Sequence, residues 1–269
     1  LAIGTIVGAL TLGKALPYLL NALPSFDYRL VILSASAAAV VGAALVAIAY
    51  RDGPFPFPRR PFSWGLVPVV LAHRETRLAI AGYLGHMWEL YAMWSLIALY
   101  FFDFFTRHGE GARAASSSGF AAFAVIAVGA IGCVTAGRWA DVVGRERVTI
   151  YAMGLSGTCA LIMGHLLGSS LWLMGIVALV WGFSIVADSA QFSALVTETS
   201  PPHAVGTALT LQTSIGFLLT AISIPVTAAV ARTVGWSAAF SLLAVGPALG
   251  IVAMLRLHAR RHPRPAGLA

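Results

Sequence analysis

Four ionisable side chains stand inside otherwise apolar stretches of this chain: Lys14, His86, Glu89 and Asp188. A charge at the middle of a bilayer costs about 2.5–3.5 kcal/mol on insertion scales, so each of these needs a partner or a purpose. His86 and Glu89 lie three residues apart and share a helical face with Gly82 and Met93. A carboxyl and an imidazole one turn apart can exchange or store a proton, or can simply satisfy each other as a structural pair. Asp188 shares a face with Trp181, Ser184 and Gln191, which reads either as a polar cavity wall or as interhelical glue to Thr210, Gln212 or Thr213. Lys14 is a counter-ion to Glu89 or Asp188, an attractor of an anionic solute, or a side chain that snorkels to the interface.

A second constellation is a dense charged turn, Gly137-Arg138-Trp139-Ala140-Asp141-Val142-Val143-Gly144-Arg145-Glu146-Arg147. It joins two apolar runs of membrane-spanning length. Nothing else in the sequence resembles a reactive centre. No Cys/His spacing fits a metal, no Gly-rich phosphate loop follows a strand, and no nucleophile–base motif is present, so no cofactor and no metal are expected.

The elements that must position these residues follow from composition. The chain has 269 residues, of which 59% are hydrophobic and only 10% charged, against about 25% charged in soluble domains. Its mean hydropathy is +0.85. Long apolar runs predict an all-α integral membrane protein in the lipid bilayer; a barrel would show short alternating segments of about ten residues instead. Eight spans are predicted, at roughly 2–23, 30–49, 78–102, 116–137, 148–167, 171–196, 204–231 and 237–256. The Pro-rich stretch 51–77 reads as a linker, and its apolar part from Trp64 to Ala72 is too short to span and suits the interface. Cys133 and Cys159 both fall inside spans and read as packing residues.

The formal charge of +7 is topological. Twelve arginines fall on alternate connections and the C-terminal tail, against four (Arg29, Arg107, Arg113 and Arg232) on the opposite side. The bias predicts a cytoplasmic linker, charged turn and C-terminus, and argues against nucleic acid as a partner. Glycines and prolines within spans, such as Gly4, Gly8, Pro17, Gly216, Pro225 and Pro247, suit closely packed helices that rock against each other.

The charged turn resembles the loop signature of the major facilitator superfamily. Gly137, Asp141, Gly144, Arg145 and Arg147 match it, whereas Val142 replaces the usual Arg and Glu146 interrupts the basic pair. The stretch from Glu198 to Ala208 resembles the family's connection between helices ten and eleven. The resemblance implies a C-terminal fragment holding about helices five to twelve of twelve. Residues 1–50 would be the last two helices of the first bundle, 51–77 the central cytoplasmic linker, 78–257 the six-helix second bundle and 258–269 the cytoplasmic tail.

It also implies a secondary transporter of the plasma membrane, not an enzyme, working by alternating access on a small solute and functional as a monomer. In the family the loop Asp and Arg hold one state closed. Carried over, Asp141 would meet the helix start near Gly206, Arg145 would meet an acid such as Glu198, and Gly137, Gly144 and Arg147 would complete the gate. Proton coupling is expected at Glu89 and His86, with Lys14, Asp188 and Gln191 as further solute or coupling residues. The sign of the solute stays open, since the two acids suit a cation and Lys14 an anion. A nitrate-type member would carry an Arg within the fourth span, and residues 116–137 contain none. A multispanning enzyme would need catalytic polar groups clustered near the interface, and a channel a polar stripe along a span; neither is evident in the sequence.

Overall fold

The computed structural model describes residues 1–23, 27–51, 53–54 and 61–262. The Pro24-Ser25 turn, the linker residues 55–60 and the tail beyond His262 lie outside the described residues. Eleven α-helices are described: α1 (Ala2–Ala22), α2 (Tyr28–Ala49), α3 (Val67–Ala72), α4 (Arg74–Arg107), α5 (Ala114–Val143), α6 (Arg145–Met163), α7 (Leu171–Ile185), α8 (Ser189–Thr199), α9 (Val205–Thr233), α10 (Trp236–Leu243) and α11 (Val245–Arg261). No strand occurs among the described residues.

By length and composition, six segments can cross a membrane: Ala2–Ala22, Tyr28–Ala49, Gly111–Val143, Leu171–Thr199, Val205–Thr233 and Trp236–Arg261. Six therefore stands where eight were predicted. The other two positions are helical, but less apolar. The centre of α4 carries His86, Glu89 and several aromatic side chains, and α6 opens on Arg145-Glu146-Arg147.

Two predicted spans are broken, each for a local reason. The sixth is interrupted at Val186–Asp188, between α7 and α8. The β-branched pair Ile185-Val186 and then Asp188-Ser189 are all weak helix formers. The freed Val186 carbonyl accepts from Cys133 Sγ at 3.3 Å and from the Ser189 N–H at 3.1 Å. The eighth is broken between α10 and α11, where Pro247 lacks an N–H and its ring would clash with the carbonyl four residues back. There the Leu242 carbonyl accepts from Trp88 Nε1 at 3.1 Å.

Small residues set the helix spacing. A Cβ built on Gly4 would come 2.5 Å from the Cys133 carbonyl oxygen, and one on Gly8 would come 3.0 Å from that of Ala130, so α1 lies directly on α5. Gly85 and Gly246 put α4 against α11, each hypothetical Cβ falling 2.4 Å from the other's carbonyl oxygen. The α5–α7 crossing is tighter still, at 1.9 Å from Gly182 to the Val125 carbonyl oxygen and 2.1 Å from Gly132 to that of Phe183. Toward one end of the bundle Tyr100, Phe104, Trp181 and Phe240 fill the core, with Tyr100 donating to the Met163 carbonyl. The short α3 lies against α4 and α9, with Val70 fully buried.

We expect Gly182→Ala to destabilise the bundle, because the methyl meets backbone that cannot turn away; overpacking of this kind costs about 1–3 kcal/mol. Gly175→Ala, where a Cβ meets nothing within 4 Å, is the matched control. Thermal unfolding of the two variants in detergent is the check, with a drop of several degrees for the first and none for the second.

Candidate functional site

Glu89 sits near the middle of α4, which buries it to 1% exposure. Its Oε2 accepts from Ser156 Oγ of α6 at 2.9 Å and its Oε1 from Trp181 Nε1 of α7 at 2.8 Å. Three helices therefore converge on one carboxyl group. Ser156 Oγ also lies 3.3 Å from the Met153 carbonyl oxygen, so its hydroxyl has a second acceptor.

One turn earlier on α4, His86 faces different partners. Its Nδ1 lies 2.9 Å from Asp188 Oδ1, and its Nε2 is 2.8 Å from Ser189 Oγ. The first contact has the separation of an ion pair, with the carboxylate oxygen off the ring N–H direction. Tyr83 and Phe192 pack around the imidazole at ring-centroid distances of 6.2 and 5.6 Å. The expected His86–Glu89 pair is thus replaced by two adjacent pairs on one helix face. The partner of Asp188 is His86, not Thr210, Gln212 or Thr213, because the break in the sixth span sets Asp188 at the start of α8 against α4.

The same break ends the expected polar wall. Trp181 turns to Glu89, and Ser184 donates back to the Val180 carbonyl. Gln191 leaves the predicted solute site altogether, its Oε1 accepting from Arg145 Nη1 at 3.1 Å. Lys14 is not a counter-ion to either acid: its ammonium stands 5.7 Å over the Tyr91 ring on an exposed face of α1, with no ion pair among the described residues.

The charged turn forms one side of a second polar cluster. Gly144, at φ +96°, ends α5 and starts α6 in a backbone conformation that disfavours any side chain. Arg145 Nε donates to Glu198 Oε1 at 2.6 Å, bringing together two residues that the sequence had paired. Arg261 at the end of α11 bonds Glu146 Oε1 at 2.7 Å and reaches Glu198 Oε2 at 3.5 Å. Glu146 is almost fully buried, whereas Arg145, Glu198 and Arg261 are partly exposed. Arg147 is exposed. Together with His258 these groups line a cavity of about 410 Å³. Asp141 departs from expectation. Its carboxylate lies beside residues 2–4 in the first turn of α1, because α5 packs along α1 and makes no substantial contact with α9. Gly137, one turn earlier, would carry its Cβ 3.5 Å from the Cα of Gly4.

Sequence reasoning missed Ser156, Trp181 and Arg261 as partners, since nothing in their own neighbourhoods marks them. It also missed a polar stripe on α9, for which there was a signal. Gln212, Thr220, Ser223 and Thr227 recur with Gly216 at three- and four-residue spacing, and all are buried. Among the described residues no group of three or more His, Cys, Asp or Glu side chains is gathered for a metal.

No curated protein matches the chain. The family model of the Major Facilitator Superfamily matches residues 111–269, more than half of the sequence and inclusive of the charged turn. That family consists generally of transporters rather than enzymes, and its members work in membranes on small-molecule solutes. The chain, a multi-pass helical membrane protein, belongs to the Major Facilitator Superfamily and is a transporter of that family.

Proposed function

We propose that the protein carries its solute by alternating access coupled to protons, with Glu89 as the proton-bearing group. The observation that carries this is the Glu89 environment. Trp181 donates to one oxygen and can only donate, so that oxygen keeps its acceptor role in either protonation state. Ser156 can do both. With Glu89 ionised its hydroxyl donates to Oε2; with Glu89 protonated it accepts from Oε2 and turns its own proton toward the Met153 carbonyl. Both states are hydrogen-bonded, which removes the usual penalty for a buried polar group left unpaired. His86, between Asp188 and Ser189, supplies a second titratable pair one turn away, where the sixth span is broken. Discontinuous helices near the midplane are where transporters of this architecture build their coupling sites.

The cluster at the charged turn acts as a gate on the cytoplasmic side. Arg145, Glu198, Arg261 and Glu146 tie the beginning of α6 to the ends of α8 and α11, and Gln191 joins through Arg145. Asp141 sits where α1 approaches α5, and Gly137 keeps that approach close, which places an anionic side chain at the seam between the two helices. Gly144 holds the turn and Arg147 adds to its positive charge. In this scheme α1 and α2 are helices five and six of twelve, residues 51–77 the cytoplasmic linker and α4 onward the second bundle, with the C-terminus cytoplasmic. The protein works as a monomer in the plasma membrane.

Glu89→Gln keeps an acceptor for Trp181 and a donor for Ser156, so the variant should fold. We expect it to lose pH-gradient-driven accumulation in proteoliposomes by at least about tenfold while retaining solute exchange at equal pH. Accumulation that persists at the wild-type rate sinks the coupling role. For the gate, Glu198→Gln and Asp141→Asn should each alter transport kinetics with a melting temperature within a few degrees of wild type, because both carboxylates are partly exposed and screened by water. Kinetics identical to wild type in both variants would remove the charged turn from the mechanism.

A further inference from the structure

The transport reading leaves the sign of the solute open, and the side-chain arrangement bears on it. Two acids inside the predicted spans would draw a cation, but both are enclosed within the bundle, away from the exposed face that carries Lys14, although Asp188 Oδ1 has no hydrogen bond among the described residues. Glu89 and Asp188 are each 1% exposed, the first saturated by Trp181 and Ser156, the second facing His86. Lys14 is in the opposite situation. It lies past the middle of α1 on an exposed face, and no carboxylate approaches its ammonium within 4.0 Å among the described residues.

What surrounds Lys14 is aromatic. Its Nζ stands 5.7 Å over the Tyr91 ring, and that ring packs on Trp94 at 5.5 Å and on Phe217 of α9 at 5.3 Å. Tyr18, one turn beyond Lys14 on α1, donates to the Trp94 carbonyl and fixes α1 to α4 at this level. Trp94 Nε1 is buried and has no acceptor among the described residues. Linked through the Tyr91 ring there are thus an ammonium, an indole N–H with no acceptor among the described residues, a phenol and a half-exposed phenyl ring. The charged and unsatisfied groups are donors.

We propose that the transported solute is an organic anion with an apolar or aromatic body. Its carboxylate pairs with Lys14 and its body lies against Tyr91, Trp94 and Phe217. The proposal rests on the transport reading and deepens it. A lone ammonium within a span is costly, and an anion arriving beside Lys14 forms the charge-assisted hydrogen bonds that the described residues do not provide. Apolar walls with one or two placed polar groups are the usual composition of a small-molecule site.

Benzoate, benzamide and benzylamine share one ring and differ in charge, so they separate the possibilities. Binding of the three to the purified protein is measured by calorimetry, and counterflow of each in proteoliposomes. Benzoate should bind at least about tenfold tighter than the other two; Lys14→Gln should abolish that preference and Lys14→Arg should keep it. The melting temperature of Lys14→Gln reports that the variant is folded. Equal binding of the three probes, tighter binding of benzylamine, binding of none, or benzoate binding unchanged in folded Lys14→Gln each overturn the anion site. Lys14-dependent benzoate binding without counterflow of any probe leaves that site standing and overturns the transport reading instead, whereas benzylamine counterflow without benzoate counterflow does the reverse.

Discussion

The Glu89 carboxyl group is the knot on which the bundle interior depends. Glu89 is almost fully enclosed, so its carboxyl group takes its hydrogen bonds from protein, from α6 through Ser156 and from α7 through Trp181. Fixing Trp181 fixes the C-terminal part of α7, and the break that follows it then has a defined place. The Val186 carbonyl freed by the break meets Cys133 of α5, and Asp188 and Ser189 just beyond it meet His86 of α4. A single acid thus organises four helices through polar contacts, none of which tolerates a shift of more than a fraction of an ångström.

The charged end obeys a different balance. Arg145, Glu198 and Arg261 are partly exposed, so water screens each pair and individual contributions are small. Glu146 differs because it is nearly enclosed, and Arg261 is its one ionic partner among the described residues. Losing that guanidinium would strand a buried charge, which is far more costly than losing a screened pair. The Glu89 carboxyl group is thus held by full satisfaction, and the end cluster by several weak ties around one demanding acid. A structure that must hold firm at one level and separate at another benefits from that difference.

Much of this was legible from residue types, and the reasons are specific. Apolar run length marked the helices. The spacing of Gly137, Asp141, Gly144 and Arg145 marked the turn and its resemblance to the family, and that resemblance implied the Arg145–Glu198 contact. The isolated acids marked themselves by being costly where they lie. What sequence periodicity could not supply was the interruption of the sixth span, since neither Gly nor Pro lies at the break and only a run of weak helix formers hints at it. An unbroken helix puts Trp181, Asp188 and Gln191 on one wall; the real chain sends them to Glu89, His86 and Arg145. Likewise the destination of Asp141 depends on which helix α5 lies against, a tertiary fact decided by Gly4 and Gly8 a hundred and more residues earlier.

The α1–α5 seam has a mechanical consequence. Along part of the seam Thr11 meets Cys133 and Ser116 bonds the Ala22 carbonyl, whereas at Gly4 and Gly8 the contact is made by glycine faces against backbone carbonyls. Two surfaces of this kind lack the side-chain ridges that normally lock helices into register. Pressing them together is resisted steeply by repulsion, while tilting or sliding one over the other meets few rotamer barriers. Where the two glycines stand, the seam resists compression steeply while offering few side-chain barriers to sliding, the geometry of a bearing.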